Sequence, residues 1–77
     1  MKFYFDGELI RTSKAHNYTH AVVSPARPEA VNSWLVYGCR ATLKSAQALL
    51  AQEQRRIAKY NPEKAAELRV VALEARP

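Results

Sequence analysis

The only two histidines of this chain, His16 and His20, lie four residues apart in the polar stretch TSKAHNYTH, residues 12–20. Two imidazoles at this spacing bind zinc when a helix brings both rings onto one face, usually together with a carboxylate or a thiolate. The threonines, the tyrosine and the asparagine of this stretch instead favour an extended chain, in which four residues span about 13 Å. Both rings cannot reach one ion over that distance. We therefore expect no metal and no cofactor, with His20 as an ordinary strand residue.

A thiol that could complete a metal or catalytic site is present only at Cys39. It could act as a nucleophile if a base such as His20 came within hydrogen-bond reach from a neighbouring strand. No glycine-rich phosphate loop accompanies this pair, and the seven Asp and Glu residues are scattered along the chain. We expect a protein that is not an enzyme. An enzyme or metalloprotein that uses His16, His20 and Cys39 is the alternative.

The composition describes one small globular domain over residues 1–77. Hydrophobic residues make up 48% and charged residues 25% of the chain, which is the balance of a folded protein rather than a disordered one. A single cysteine excludes an intrachain disulfide and favours a reducing compartment. No apolar run is long enough to span a membrane, and the first residues form no signal-peptide pattern. We expect a cytoplasmic protein without a membrane partner.

The chain carries a formal net charge of +5, from 12 Lys and Arg against 7 Asp and Glu. Most of this excess lies in the second half, because residues 40–77 hold eight basic and four acidic side chains. A basic half of this kind predicts an acidic partner, either nucleic acid or an acidic protein surface, or else serves solubility alone.

Alternating apolar residues and turn residues predict four strands in the first half. KFYFDGELIRT is typical of a hairpin, because Asp6-Gly7 supplies the positive φ angles of a type I′ turn. YTHAVVS predicts a third strand, and VNSWLVYG predicts a fourth that ends at Gly38. PARPEA, between them, predicts a surface loop because prolines do not fit a paired ladder.

The hydrophobic period changes to that of a helix over residues 42–60. Thr42 is the expected N-cap, and the apolar residues that share one face are Leu43, Ala46, Leu50 and Ile57. Asn61-Pro62 ends this helix and opens a short second one. Residues 68–75, LRVVALEA, alternate as a fifth strand would, with a helix as the alternative. The expected fold is α+β, a small antiparallel sheet of four to five strands packed against one long amphipathic helix.

Basic side chains follow the helix on the side opposite its apolar face. We call this set the basic stripe and expect it to bind a partner: Arg40, Lys44, Arg55, Lys59 and, at its flank, Arg56. The alternative is a solvated face whose long side chains cover apolar surface. Contacts to a nucleic-acid backbone would be sensitive to salt and would carry little sequence choice.

One helix covers only one face of a sheet, so the second face needs another cover. We expect that face to expose aromatic residues that bind a protein partner or form a homodimer. They should include some of Tyr18, Trp34 and Tyr37, and strand alternation places Trp34 and Tyr37 on opposite faces. The alternative is that the C-terminal segment folds over it.

The opening residues FYFDGELIRTSKAHNYTHAVV resemble the start of small uncharacterised proteins encoded by bacteriophages and prophages, which share a hairpin, a TSK-x-H-x-YTHA strand and a following helix. The resemblance covers about the first 25 residues and implies a phage accessory protein, which would act in the host cytoplasm. A role as an inhibitor of host defence, such as an anti-CRISPR protein, follows by analogy only. The sequence thus predicts a non-catalytic protein that binds a host protein or nucleoprotein complex. The alternative is a nucleic-acid-binding module that acts through the helix of residues 42–60.

Overall fold

The computed structural model describes all residues from Met1 to Pro77. Two helices, α1 and α2, span Leu43–Ala58 and Pro62–Glu67. Four strands precede the helices in the chain and two follow them: β1 Lys2–Phe5, β2 Glu8–Thr12, β3 His20–Pro25, β4 Trp34–Arg40, β5 Arg69–Ala72 and β6 Glu74–Arg76. The α+β class is confirmed, but the strands form two three-stranded antiparallel sheets instead of one.

The first sheet has the order β2-β1-β6 and begins with the expected hairpin. Asp6 and Gly7 adopt φ angles of 53° and 77°, as a type I′ turn requires. The pairing shifts between Phe3 and Tyr4, because Phe3 lies opposite Arg11 while Tyr4 lies opposite Leu9. This bulge in β2 bends the sheet and increases its twist.

The second sheet has the order β4-β3-β5 and carries α1 on one face. The apolar contact between them is built from Val22 of β3, Leu49 of α1 and Leu68, all buried. A side-chain carbon added at Gly38 would lie 2.8 Å from Leu49 Cδ2, so the glycine is needed for the close approach of α1 to β4. Contrary to expectation, Gly38 does not end β4, which continues to Arg40.

The opposite face of the second sheet is covered by the first sheet. A buried cluster of Ala21, Val23, Cys39 and Val71 lies on this face, and side chains from both sheets pack on it, including Phe5, Ile10 and Trp34. The molecule therefore has three layers, α1, the second sheet and the first sheet. The expectation of an uncovered sheet face is wrong, because the N-terminal hairpin together with β6 covers it.

The chain passes from the second sheet to the first at Leu73, between β5 and β6. The backbone N–H of Leu73 donates to Thr19 O at 2.9 Å. The strand expected over residues 68–75 is thus present, but it is divided between the two sheets. The third strand starts at His20 instead of Tyr18 and ends at Pro25, which lies opposite Trp34 in the ladder. This proline therefore belongs to β3 and not to the loop.

Helix ends follow the expected capping. Thr42 Oγ1 accepts a hydrogen bond from Ser45 N at 3.1 Å, and Asn61 Oδ1 accepts one from Lys64 N at 3.1 Å. Each cap satisfies a backbone donor that has no partner inside its helix. Neither helix is long and apolar enough to cross a membrane.

Candidate functional site

The two histidines do not share a site. His16 lies in the loop before β3 and packs its exposed ring on Tyr18, with ring centroids 5.4 Å apart. His20 begins β3, and its Nδ1 lies 2.8 Å from Thr19 Oγ1. Thr19 Oγ1 also donates to Ala41 O at 2.9 Å, so the His20 ring is linked to Thr19 and not to His16.

Cys39 also stands apart from His20. The pair Ala21–Cys39 lies on the face between the two sheets, and consecutive strand residues point to opposite faces. His20 therefore points away from the thiol. Burial raises the pKa of the Cys39 thiol, and the charges of Arg11 and Arg40 offset part of this rise. No cluster of three or more His, Cys, Asp or Glu side chains could hold a metal ion.

Most basic groups outside α1 already have an intramolecular contact. Three arginines lie over aromatic rings, Arg11 over Tyr18 at 6.0 Å, Arg69 over Trp34 at 5.6 Å and Arg76 over Tyr4 at 4.3 Å. Such cation–π contacts cover apolar ring surface and localise the guanidinium. Local sequence patterns do not reveal these contacts, because each joins residues from different strands or from a strand and a loop.

The basic stripe separates into two groups. Arg40 is the last residue of β4 and donates from Nη1 to Cys39 O at 2.8 Å, so the expectation that it continues the helix face is wrong. Arg56 is held by Glu53 through two hydrogen bonds, from Nε at 2.8 Å and Nη2 at 3.2 Å. The remaining three, Lys44, Arg55 and Lys59, are exposed and form no ion pair or side-chain hydrogen bond.

The Glu53–Arg56 pair is an ordinary i,i+3 contact of a helix surface. The hydrogen bond from Arg56 lowers the pKa of the Glu53 carboxyl, and the same bond raises the pKa of the Arg56 guanidinium. Both groups thus keep opposite charges near neutral pH, and their sum adds nothing to the positive charge of the helix. The net positive charge of this surface comes from Lys44, Arg55 and Lys59.

These three residues form the candidate site, which we call the α1 cation face. Lys44 and Arg55 are eleven residues apart, or about 16 Å along the axis, and all three lie within about 100° of arc. The exposed side chains between them include Ala48 and Ala51, whose methyl groups allow a partner to come close to the helix. Three further basic residues form no ion pair or side-chain hydrogen bond. They are Lys2 in β1, Lys14 in the loop after β2 and Arg27 in the loop between β3 and β4.

The aromatic residues expected on one open face are divided between two interfaces. Tyr18 meets Phe3 at a centroid distance of 5.4 Å, and Trp34 meets Phe5 at 5.1 Å; both contacts lie between the sheets. Tyr37 packs on the other side, in the cluster beneath α1. The predicted aromatic sheet face therefore does not exist as one surface. Tyr18 and Trp34 pack against the first sheet, whereas Tyr37 packs beneath α1.

The surface contains no pocket. No protein-family model, curated protein or solved structure matches this chain. The resemblance of the opening residues to small phage proteins stays a prediction. The geometry offers an exposed helix face with three unpaired cations.

Proposed function

We propose that this protein is a small non-catalytic binding protein that attaches to an acidic surface of a protein or nucleoprotein complex through the α1 cation face. The observation that carries the proposal is the position of Lys44, Arg55 and Lys59 on one exposed face, with no intramolecular partner. Charges of this kind steer association and align the two surfaces.

The helix that carries these cations is packed on the second sheet. Leu49 is buried against Val22 and Leu68, and Thr42 caps the first turn, so α1 is held against the sheet on the side opposite the cations. A partner therefore meets three charges at set spacings and loses little conformational freedom of the backbone on binding.

A phage setting suggests the kind of partner. The resemblance of the opening residues to phage accessory proteins points to an acidic surface of a host complex, such as a defence nuclease of the CRISPR–Cas type. The resemblance and the analogy support the kind of partner, whereas the positions of Lys44, Arg55 and Lys59 support the α1 cation face as the binding surface.

Direct binding to nucleic acid is the second candidate, because the same three cations suit phosphates. Each phosphate contact makes the affinity fall with salt, and three contacts give a logarithmic slope of about −2 to −3. The helix contains no Asn, and Gln47 and Gln52 lie only beside this face, so binding would depend on the backbone of the nucleic acid and little on its sequence.

The experiment compares Arg55→Gln/Lys59→Gln with Arg27→Glu. Both variants lower the net charge from +5 to +3, but Arg27 lies in the loop between β3 and β4. Each protein is used to capture partners from host lysate, with and without nuclease, and captured complexes are compared by mass spectrometry and binding assays. We expect the double neutralisation to abolish capture of a specific protein that wild type and Arg27→Glu retain.

Capture that disappears with nuclease, together with retardation of duplex DNA or RNA by the purified protein, would support the nucleic-acid candidate instead. Equal capture by both variants would overturn the role of the α1 cation face.

A further inference from the structure

The loop between β3 and β4, residues 26–33, carries an apolar residue that no other part of the protein covers. Val31 is 100% exposed, and the backbone N–H groups of Val31 and Asn32 donate to no group of the protein. Exposed loop tips are the preferred places for a protease to cut, because their backbone enters an active site without the unfolding of a strand or a helix.

The base of this loop is closed by two hydrogen bonds of Ser33. Its backbone oxygen accepts from Ala26 N at 2.9 Å, and its backbone nitrogen donates to Glu8 Oε1 of β2 at 2.9 Å. On the other side of the tip, Ala30 N donates back to Arg27 O at 3.0 Å and closes a turn. The backbone between Ala30 and Ser33 is therefore the free part of the loop.

The loop before β3 also exposes a small aliphatic residue, Ala15, but its backbone is tied down. Ser13 N donates to Met1 O at 3.0 Å, and Ser13 Oγ accepts from His16 N at 3.0 Å. These bonds must open before a protease can bind this segment, and the rate of cleavage follows the population of the open form. We therefore expect the tip at Val31 to be cut before Ala15.

The residue types of the loop select one class of protease. Its only basic residue, Arg27, is followed by Pro28, and a proline after the scissile residue prevents trypsin-type cleavage, because proline has no N–H and a fixed backbone angle. Val31 instead suits the small apolar primary pocket of elastase-type proteases.

We propose that the Val31–Asn32 bond is a proteolytic processing site for proteases whose primary pocket takes a small aliphatic side chain. Water adds across this peptide bond and leaves a carboxylate on Val31 and an amine on Asn32. The cut lies outside every strand and helix, so the product keeps the hydrogen bonds of both sheets. It also leaves α1 whole, so the cleaved protein keeps the α1 cation face.

The strand order holds the two pieces together after the cut. Residues 1–31 contain β1, β2 and β3, and residues 32–77 contain β4, β5, β6 and both helices. In the second sheet β3 lies between β4 and β5, and in the first sheet β1 lies between β2 and β6. Separation of the pieces would expose the completely buried Ala21, Val22 and Val23 of β3 to water. The product is therefore a folded protein of two chains.

The test is limited digestion of the folded full chain with an elastase-type serine protease, followed by mass spectrometry of the fragments. We expect the first cut between Val31 and Asn32. Val31→Asp should slow this cut by about tenfold or more, because a carboxylate does not enter an apolar pocket. Val31→Ala, the matched control, should be cut at the same bond. A first cut at any other bond, or a Val31→Asp variant cut there as fast as wild type, would overturn the site.

Gel filtration of the digested protein tests the two-chain product. Both fragments should elute together at the volume of the intact protein and separate only in urea. Refolding from urea should then depend on protein concentration, since two chains have to meet. Fragments that separate as soon as the bond is cut would overturn the two-chain product.

Discussion

Ser24 Oγ and Tyr37 Oη lie 2.9 Å apart and form a hydrogen bond between β3 and β4 beneath α1. Ser24 is completely buried, whereas Tyr37 is only half-buried. The bond satisfies a hydroxyl that has no access to water and fixes the tyrosine on the helix side of the sheet.

The first prediction concerns this pair. Tyr37→Phe should lower the free energy of unfolding by about 1–3 kcal/mol, because it leaves the Ser24 hydroxyl buried without a partner. Ser24→Ala should cost less, because the Tyr37 hydroxyl can then turn to water. Chemical denaturation of both single variants and the double variant measures the coupling. A larger loss for Ser24→Ala than for Tyr37→Phe would contradict this account of which hydroxyl depends on the other.

Local features of the fold were predictable from short stretches of sequence. Asp6-Gly7 specifies its turn, and Thr42 and Asn61 specify their helices, because each acts on residues within one turn of itself. The second sheet layer was not predictable in this way. It depends on β6, a strand of three residues that pairs with β1 some seventy positions earlier, and no local pattern reports such a contact.

Gly38→Ala should destabilise the protein by about 1–3 kcal/mol, because the new methyl group would lie 2.8 Å from the buried Leu49 Cδ2. The loss of stability arises from steric overlap between the new methyl group and Leu49. A smaller side chain at position 49 makes room for that methyl group. We therefore expect Leu49→Val to lose less stability in the Gly38→Ala background than in wild type. Thermal or chemical denaturation of the four proteins gives the interaction energy, and strict additivity would show that the two sites do not touch.

Thr42→Ala should cost about 1 kcal/mol of stability, because Ser45 N loses its capping acceptor. Thr42→Asn, which keeps an acceptor at the same position, should retain most of the stability. Equal losses for the two variants in urea denaturation would indicate that Thr42 acts through packing and not through its oxygen.

The candidate site was only partly predictable. Helical periodicity places Lys44, Arg55 and Lys59 on one side, and the structure keeps them there. The sequence could not show that Arg40 belongs to a strand, nor that Arg11, Arg69 and Arg76 lie over rings, since these contacts depend on how distant strands meet. Once the engaged arginines are set aside, Lys44, Arg55 and Lys59 remain as unpaired cations on one face of α1.

Cys39 should make stability depend on pH in the alkaline range. Burial raises the pKa of its thiol in the folded state, so the folded protein holds this proton at pH values where the unfolded chain has lost it. The contribution is therefore present below the pKa of the unfolded chain and is lost as pH rises from there toward the folded pKa. We expect the stability difference between wild type and Cys39→Ala to shift against wild type as pH rises from about 8 to about 10. Urea denaturation at several pH values measures this shift, and a constant difference would contradict it.

The last prediction returns to the two histidines. His16 is exposed and contacts Tyr18 by its ring, while Nδ1 of His20 lies 2.8 Å from Thr19 Oγ1, which donates to Ala41 O. Neither contact needs a metal, so a chelator should leave the melting temperature unchanged and mass spectrometry of the native protein should show no zinc. His16→Ala should change stability by no more than about 0.5 kcal/mol, as is usual for a surface residue. His20→Ala should cost more, because it removes the contact with Thr19 Oγ1 and the packing of a half-buried ring. A melting temperature that falls in chelator and recovers with zinc would show instead that the loop before β3 rearranges to bring the two rings together around an ion.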